Sequence, residues 1–204
     1  MKSIALHNTY LCMRHAQSTA NEMHIIVSDP ETGTTKYGLT RKGEQQVLEA
    51  IVTNKEIVSV EYIYTSDFLR AYQTAMIISQ QLNNIPVKTD ARLRERYFGQ
   101  FEGTNSENYN KVWDMDCKLE FDVACYDVEP IHAVARRMLS FLLDCEKSHN
   151  NQNILIVSHG DPLQILYAVA SGVAAHQFKS LPHFANADVR LLPSQFTIAE
   201  EYVS

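Results

Sequence analysis

The sequence contains no hydrophobic run long enough to cross a membrane. None of its apolar stretches approaches the roughly 20 residues of a transmembrane helix. Its first ten residues, MKSIALHNTY, also lack the apolar region that a secretory signal peptide requires. We therefore expect a cytoplasmic protein that does not interact with a membrane.

Cysteine is scarce, and its spacing matches no redox motif. The four cysteines are scattered without a C-x-x-C pair: Cys12, Cys117, Cys125 and Cys145. Cys12 lies in an apolar run, as buried cysteines often do. We interpret the four as reduced thiols of an intracellular protein, because their scatter argues against a disulfide framework.

The sequence has fewer basic than acidic residues. The sequence has 18 Lys and Arg residues against 24 Asp and Glu residues, which gives a formal net charge of -6. A general nucleic-acid-binding protein would instead carry a strongly basic face. We therefore expect no nucleic-acid partner, and any anion-binding site in this chain has to be local.

Short apolar runs predict the strands of a sheet. Three of them are four to six residues long without clean alternation, as in strands covered on both faces: TYLCM (9–13), YIYT (62–65) and NILIVS (153–158). IPVKT (85–89) predicts a further strand, and VRLLP (189–193) predicts an antiparallel strand at an edge. The 204 residues suit one compact domain spanning 1–204.

Amphipathic segments alternate with these strands. A helix predicted over residues 67–82 has Ser66 or Asp67 available as its cap. Its predicted buried face is formed by Phe68, Tyr72, Ala75, Ser79 and Leu82. Further helices are predicted over 131–147 and from about Gly43 onward. This alternation predicts an α/β fold with a largely parallel sheet.

Polar residues follow the apolar runs where the predicted strands end. Arg14 and His15 follow the first run, Ser66 and then Arg70 follow the second, and His159 follows the third. Ligands of parallel α/β sheets bind beyond these carboxyl ends. Each residue alone has an ordinary structural interpretation, but two arginines and two histidines at one edge indicate a phosphate pocket, because the guanidinium fork matches phosphoryl oxygens.

Five sequence blocks carry a family resemblance. RHAQSTAN (14–21) resembles the R-H-G-x-[ST]-x-x-N signature of the histidine phosphatase superfamily, the phosphoglycerate mutase-like proteins. Four later blocks are similar to that family in the same order: YGLTRKGEQQ (37–46), YTSDFLRAYQTA (64–75), LRERYFGQFEG (93–103) and IVSHGDPLQIL (156–166). The resemblance implies a three-layer α/β/α sandwich with a mostly parallel sheet, and phosphoryl transfer through a phosphohistidine.

The resemblance also implies roles for individual residues. His15 would be the nucleophile, while Arg14, Arg70 and His159 would clamp the phosphoryl oxygens. Glu95 matches the family's proton donor, although the charged run RLRER alone would suggest a solvated residue. The residues expected to bind substrate are Gln17, Ser18, Asn21 and Gly160. His183 is a further candidate for the pocket wall.

We expect no metal ion and no cofactor. The zinc motif H-E-x-x-H is absent from the sequence. Two arginines beside the histidines would also repel a cation. One position departs from the family pattern, because Ala16 stands where glycine is usual. We expect it to be tolerated, since a residue opening the turn after a strand need not have positive φ.

The favoured function is a phosphomonoesterase acting on a small phosphate ester, and two alternatives stay open. A mutase is suggested by ERYFG, in which Arg96 could bind a substrate carboxylate. Against it, the weakly periodic segment 104–130, a probable insertion above the site, lacks the arginine pair and proline-rich insert of those mutases. The other alternative is a phosphate-binding module in which Ala16 has ended turnover. The oligomeric state is left open.

Overall fold

A computed structural model describes residues 2–117 and 126–199. It contains seven strands: β1 Lys2–Ala5, β2 Thr9–Arg14, β3 Tyr62–Thr65, β4 Val87–Thr89, β5 Asn153–Ser158, β6 Val189–Leu191 and β7 Gln195–Ile198. Five of them form the central sheet in the order β4-β3-β5-β2-β6. All neighbours in it are parallel except β6, which runs antiparallel along β2 at the edge, as predicted. β1 and β7 form a separate antiparallel pair.

Helices lie between these strands along the chain. They are α1 Thr19–Glu22, α2 Pro30–Gly33, α3 Arg41–Thr53, α4 Leu69–Gln81, α5 Tyr109–Cys117, α6 Ile131–Ser148 and α7 Gly160–Ala170. Short 3-10 segments connect several of them. Among the described residues, none of these helices combines the length and the apolar character needed to span a membrane.

The central sheet is covered on both faces. Tyr10 and Cys12 of β2 belong to the apolar core that includes α6 and α7. Leu11 and Met13 point the other way, into the core shared with α3 and α4. This alternation follows from the two-residue period of a strand, and burial on both faces explains the nearly continuous apolar runs. The predicted three-layer α/β/α sandwich is confirmed.

The predicted start and buried face of α4 are partly wrong. The helix begins at Leu69, and neither Ser66 nor Asp67 caps it, because Phe68 occupies the N-cap position without a side-chain hydrogen bond. Tyr72 is 39% exposed. The buried face instead includes Ala71, which precedes Tyr72 by one position and therefore points about 100° away from it around the helix.

Other boundaries differ by a few residues. The helix predicted from about Gly43 begins at Arg41, because the Thr40 hydroxyl accepts a hydrogen bond from the Gly43 N–H at 3.0 Å. The strand predicted over 85–89 is shorter and covers only Val87–Thr89. The helix predicted over 131–147 is confirmed as α6.

Part of the predicted insertion, helix α5, packs in a small apolar cluster with residues from three other segments. Residues 118–125, including Cys125, lie outside the described residues. Preceding them, α5 contributes Val112 to a small apolar cluster with Ile26, Phe98 and Val128. The insertion and the single-domain organisation remain predictions.

Candidate active site

Three strand ends lie level at one edge of the sheet. Arg14 is the last residue of β2 and is in register with Ser158, the last residue of β5. Thr65 ends β3 opposite Val157 of β5. Because the strands end together, the residues that follow them in sequence are brought side by side.

His15 is buried directly after β2 with both ring nitrogens engaged. Its Nδ1 lies 2.8 Å from the carbonyl oxygen of Ala16, which can only accept, so Nδ1 carries the proton. Nε2 accepts a hydrogen bond from Arg70 Nε at 3.0 Å and therefore carries a lone pair. Burial, with the charges of Arg70 and Arg14, holds the pKa of His15 well below its usual range. The imidazole is thus neutral, with a nucleophilic nitrogen facing Arg70.

Arg70 is anchored at two points. Besides its bond to His15, it donates from Nη2 to the carbonyl of Val27 at 2.9 Å. Its guanidinium carbon lies 5.1 Å from the centre of the Phe68 ring. The predicted convergence of Arg70 on His15, across 55 residues of sequence, is therefore present in the structure.

Arg14 is held by a chain of hydrogen bonds. Its Nη1 donates to the Phe184 carbonyl at 2.7 Å and to His183 Nε2 at 2.8 Å. His183 Nδ1 in turn lies 3.3 Å from Gln164 Oε1. Burial and the charge of Arg14 lower the pKa of His183 to about 4, so its ring is neutral and accepts from the arginine. Sequence reasoning offered His183 only as a wall residue.

His159 completes the cluster from the end of β5. Its ring centre lies 5.1 Å from that of His15. His159 Nε2 shares a hydrogen bond of 2.9 Å with the Ser66 hydroxyl. Its Nδ1 lies 4.0 Å from a carboxylate oxygen of Glu95. Burial, together with Arg70, holds the pKa of His159 well below its usual range.

Three buried nitrogens around His15 are unsatisfied. Within the described part of the chain, Arg14 Nε, Arg70 Nη1 and His159 Nδ1 are the buried side-chain polar atoms that have no hydrogen-bond partner. Buried polar groups are normally paired, so each such atom requires an explanation. Two belong to cations and can only donate, which makes their convergence suitable for binding an anion next to His15 Nε2.

Glu95 is buried beside this anion site. Only 8% of the residue is exposed, and its Oε1 accepts the backbone N–H of Arg96 at 3.0 Å. Burial, reinforced by the negative charge of Asp161, raises the pKa of Glu95 to about 7. Its carboxyl group can therefore give or take a proton near neutral pH.

Arg137 fixes the backbone that carries Glu95. From α6 it donates to the carbonyls of Arg92, Arg94 and Glu95 at 2.5, 2.8 and 3.3 Å. Its Nε also pairs with Glu129 at 2.8 Å. Sequence analysis did not single out Arg137, because backbone acceptors leave no trace in the pattern of side chains.

The residues after His15 divide into two groups. Ser18 is fully buried and caps α1, where its N–H and hydroxyl both donate to Asn21 Oδ1 at 3.1 Å. Gln17 accepts from the Thr40 hydroxyl at 2.9 Å. Neither Gln17 nor Ser18 lines the cavity, whereas Asn21 and Gly160 do. In the structure Gln17 and Ser18 are hydrogen-bonded to Thr40 and Asn21, and their contact with substrate remains a prediction.

Ala16 fits its position without backbone strain. It is not among the residues with positive φ, in agreement with the expectation from sequence. Its N–H donates to the Thr74 hydroxyl at 3.2 Å, and its side chain packs in the apolar core. The methyl group is therefore accommodated on the side of the core.

A cavity of about 250 Å³ opens above the cluster. Arg14, Glu95 and Gly160 are among its lining residues, whereas the fully or nearly fully buried His15, Arg70 and His159 are not. Tyr109 and Trp113 of α5 also line it, with ring planes at 10° and centres 5.4 Å apart. Within residues 2–117 and 126–199, no group of three or more His, Cys, Asp and Glu side chains is placed to hold a metal ion.

Arg96 does not reach this cavity. It is fully buried, and its two Nη atoms donate to the two carboxylate oxygens of Asp116 at 2.6 and 2.9 Å. Its Nε donates to the carbonyl of Glu129. The suggestion that Arg96 binds a substrate carboxylate is therefore wrong, because a partner 20 residues away in α5 occupies its donors.

The profile of the histidine phosphatase superfamily (branch 1) matches residues 10–195. The chain belongs to this superfamily. A Hydrogenobacter thermophilus protein, provisionally named phosphoserine phosphatase 2, is 31% identical over 87% of this chain and 85% of its own length. The Bartonella henselae 2,3-bisphosphoglycerate-dependent phosphoglycerate mutase is 26% identical, covering 86% of this chain and 87% of its own.

The solved structure of Bacillus stearothermophilus YhfR is similar to this one over most of the chain. It has a TM-score of 0.76 and 26% identity, and covers 90% of each chain. The resemblance proposed from the five sequence blocks is therefore confirmed. Phosphatase and mutase names both occur among the relatives, and the phosphatase names support a phosphatase activity.

The fork of Arg70 provides a first prediction. In Arg70→Lys the positive charge is kept. The lysine ammonium group cannot, however, hydrogen-bond to His15, to Val27 and to an anion with the geometry of the arginine guanidinium. We expect kcat/KM for a phosphate ester to fall roughly 10- to 100-fold, the scale of losing a hydrogen bond to a charged group. Arg41→Lys, at an exposed position of α3, is the control. An equal change in both variants would contradict the role.

Proposed function

We propose that this protein is a metal-independent phosphomonoesterase that hydrolyses a small phosphate ester through a phosphohistidine at His15. The observation that carries the proposal is the set of three unsatisfied buried nitrogens around the lone pair of His15 Nε2. Arg14, Arg70 and His159 would hold the phosphoryl oxygens through these atoms. Positioning and charge stabilisation are what phosphoryl transfer chiefly requires.

In the first step, the hydrogen bond from Arg70 Nε to His15 Nε2 breaks, and the freed lone pair of Nε2 attacks phosphorus. The P–N bond forms as the bond to the ester oxygen breaks. Glu95, whose pKa is raised to about 7, gives its proton to the departing alcohol oxygen. The hydrogen bond from Nδ1 to the Ala16 carbonyl stabilises the positive charge that develops on the imidazole.

In the second step, the Glu95 carboxylate takes a proton from water as the water oxygen attacks the phosphohistidine. The P–N bond breaks and inorganic phosphate forms. His15 Nε2 recovers its lone pair, and Glu95 is again protonated. The two arginines supply the positive charge in both steps, so the scheme needs no metal ion or cofactor.

Two observations bear on the alternatives. A mutase is supported by relatives of that name, but the pairing of Arg96 with Asp116 removes the carboxylate-binding group suggested for it. A non-catalytic phosphate-binding module would be favoured if Ala16 distorted the site, but Ala16 lies in an unstrained backbone. Both observations support the hydrolase.

Two substrate assays separate these functions. We expect release of phosphate from p-nitrophenyl phosphate, undiminished by excess EDTA. We expect little conversion of 3-phosphoglycerate to 2-phosphoglycerate in the presence of 2,3-bisphosphoglycerate. A mutase would reverse the second result, and a binding module would release no phosphate. Loss of activity with EDTA that zinc or magnesium restores would contradict metal independence.

The pKa values predict the dependence of the first step on pH. Burial raises the pKa of Glu95 to about 7, so the acid form declines as the pH rises through 7. For an alkyl phosphate, kcat/KM should fall in that range. The activated ester p-nitrophenyl phosphate should show a weaker decline, because its leaving group needs little protonation. Glu95→Gln should remove the difference between the two profiles, and an unchanged difference would argue against Glu95 as the acid.

A further inference from the structure

The lining of the active-site cavity includes a buried carboxylate that the two proposed steps do not use. Asp161 lines the cavity, and only 4% of it is exposed. It lies in the first turn of α7, two residues after His159. A carboxylate so close to the anion site would repel the phosphate dianion, so its presence there requires an explanation.

The contacts of Asp161 within the protein neutralise its negative charge only in part. Its Oδ2 accepts the indole N–H of Trp113 at 3.0 Å. Its one ion pair among the described residues is a long contact of 3.7 Å to Arg96 Nη1. Arg96 is already neutralised by its two short bonds to Asp116. The group of Arg96, Asp116 and Asp161 therefore places one excess negative charge at the cavity wall.

Lys179 attracts Asp161 through space without a direct ion pair among the described residues. Burial lowers the pKa of Lys179, and the charge of Asp161 opposes that shift. Lys179 Nζ lies over the Trp113 ring, 3.4 Å from its centre, and Lys179 does not line the cavity. The Asp161 charge also acts on Glu95, where it contributes to the raised pKa. A ligand in the cavity would thus meet both the guanidinium of Arg14 and the carboxylate of Asp161.

We propose that Asp161 binds a protonated amine on the alcohol portion of the substrate, so that the preferred esters are phosphates of short amino alcohols. This inference rests on the proposed phosphatase function and deepens it. The phosphoryl group would lie against Arg14 and Arg70, and the ammonium group would bond to Asp161. The cavity of about 250 Å³ is smaller than the roughly 300–1,000 Å³ typical of sites for drug-sized ligands, which favours an alcohol of few atoms.

A matched series of esters tests the charge preference. O-phosphoethanolamine, 2-hydroxyethyl phosphate and phosphoglycolate share a two-carbon skeleton and carry an ammonium, a hydroxyl and a carboxylate group. In the wild-type protein, kcat/KM should fall in that order. Asp161→Asn keeps an oxygen that can accept from Trp113 and removes the charge. Asp161→Asn should reduce the ratio of kcat/KM for the ammonium ester to kcat/KM for the hydroxyl ester roughly tenfold or more, which is the scale of a hydrogen bond to a charged group.

Comparing the ratio between wild type and variant cancels the intrinsic reactivity of each ester and any general effect on Glu95. Asp114→Asn, at an exposed position of α5, removes the same charge outside the cavity and should leave the ratio unchanged. An equal ratio in wild type and Asp161→Asn, or a wild-type preference for phosphoglycolate, would overturn the inference. The phosphatase function would still stand if p-nitrophenyl phosphate is hydrolysed.

Binding measurements distinguish failure of the proposed phosphatase function from failure of the proposed role of Asp161. If no ester is hydrolysed, the proposed function fails, and the dissociation constants of the same three esters, measured by calorimetry, still test Asp161. Tighter binding of O-phosphoethanolamine that is lost in Asp161→Asn supports the inference. Equal binding of the ammonium and hydroxyl esters by the wild-type protein, or no binding of either, contradicts it.

Discussion

His15→Ala should abolish turnover, whereas Glu95→Gln should accumulate phosphate on His15. Removing a covalent nucleophile is expected to lower kcat by roughly 10⁴-fold or more. Glu95→Gln leaves the anion-binding nitrogens in place but cannot activate water, so dephosphorylation should slow by roughly 10²- to 10⁴-fold. An activated ester should still phosphorylate this variant, because its leaving group needs little protonation.

Rapid quenching during hydrolysis of p-nitrophenyl phosphate provides the measurement. The label on Glu95→Gln should be labile to acid and stable to base, as expected for a P–N bond, and mass spectrometry should locate it on His15. The double variant His15→Ala/Glu95→Gln is the control and should carry no label. Wild-type activity in His15→Ala would show that His15 is not the nucleophile. A label on another residue would assign the covalent intermediate to that residue instead.

Arg96→Met should lower the free energy of unfolding by about 3–5 kcal/mol. Arg96 is fully buried, and its substitution leaves the carboxylates of Asp116 and Asp161 without their cation. Removing one partner of a buried ion pair lowers stability by this amount because the other partner's charge stays in the interior without compensation. Denaturant unfolding followed by circular dichroism would measure it.

The neighbouring Arg94 offers a matched control. It pairs with Asp67 through two bonds of 2.8 and 2.6 Å, but the side chains are 33% and 27% exposed. Arg94→Met should therefore cost only about 0.2–1 kcal/mol. The double variant Arg96→Met/Asp116→Leu should recover part of the lost stability. A similar loss in Arg94→Met and Arg96→Met would show that burial is not the cause.

The sequence predicts the centre of the site better than its surroundings. Arg14, His15 and His159 directly follow buried strands, and strand ends in a parallel sheet meet at one edge, so local patterns were sufficient to group them. Arg70 was also foreseeable, because α4 follows its strand after a short connection. Their catalytic roles remain predictions.

Residues brought in by distant segments were less accessible. Arg96 resembles an exposed residue in a charged run, and only the packing of α5 reveals that Asp116 neutralises it. Arg137 binds backbone carbonyls 42 to 45 residues away, and every residue has a carbonyl, so no side-chain pattern indicates the pairing. The error at Tyr72 has a different origin. Ala75 and Ser79 of the same predicted face are buried, so the face itself was correct, and spacing alone did not show that Tyr72 lies at its edge.

The double anchoring of Arg70 has a thermodynamic consequence for ligand binding. A free arginine side chain can lose about 2 kcal/mol of rotamer entropy when it is immobilised. In this protein the bonds to His15 and Val27 immobilise it during folding. An arriving phosphoryl group therefore meets a guanidinium that is already oriented, and its affinity is not reduced by ordering that side chain. The conformational cost is instead part of the free energy of folding.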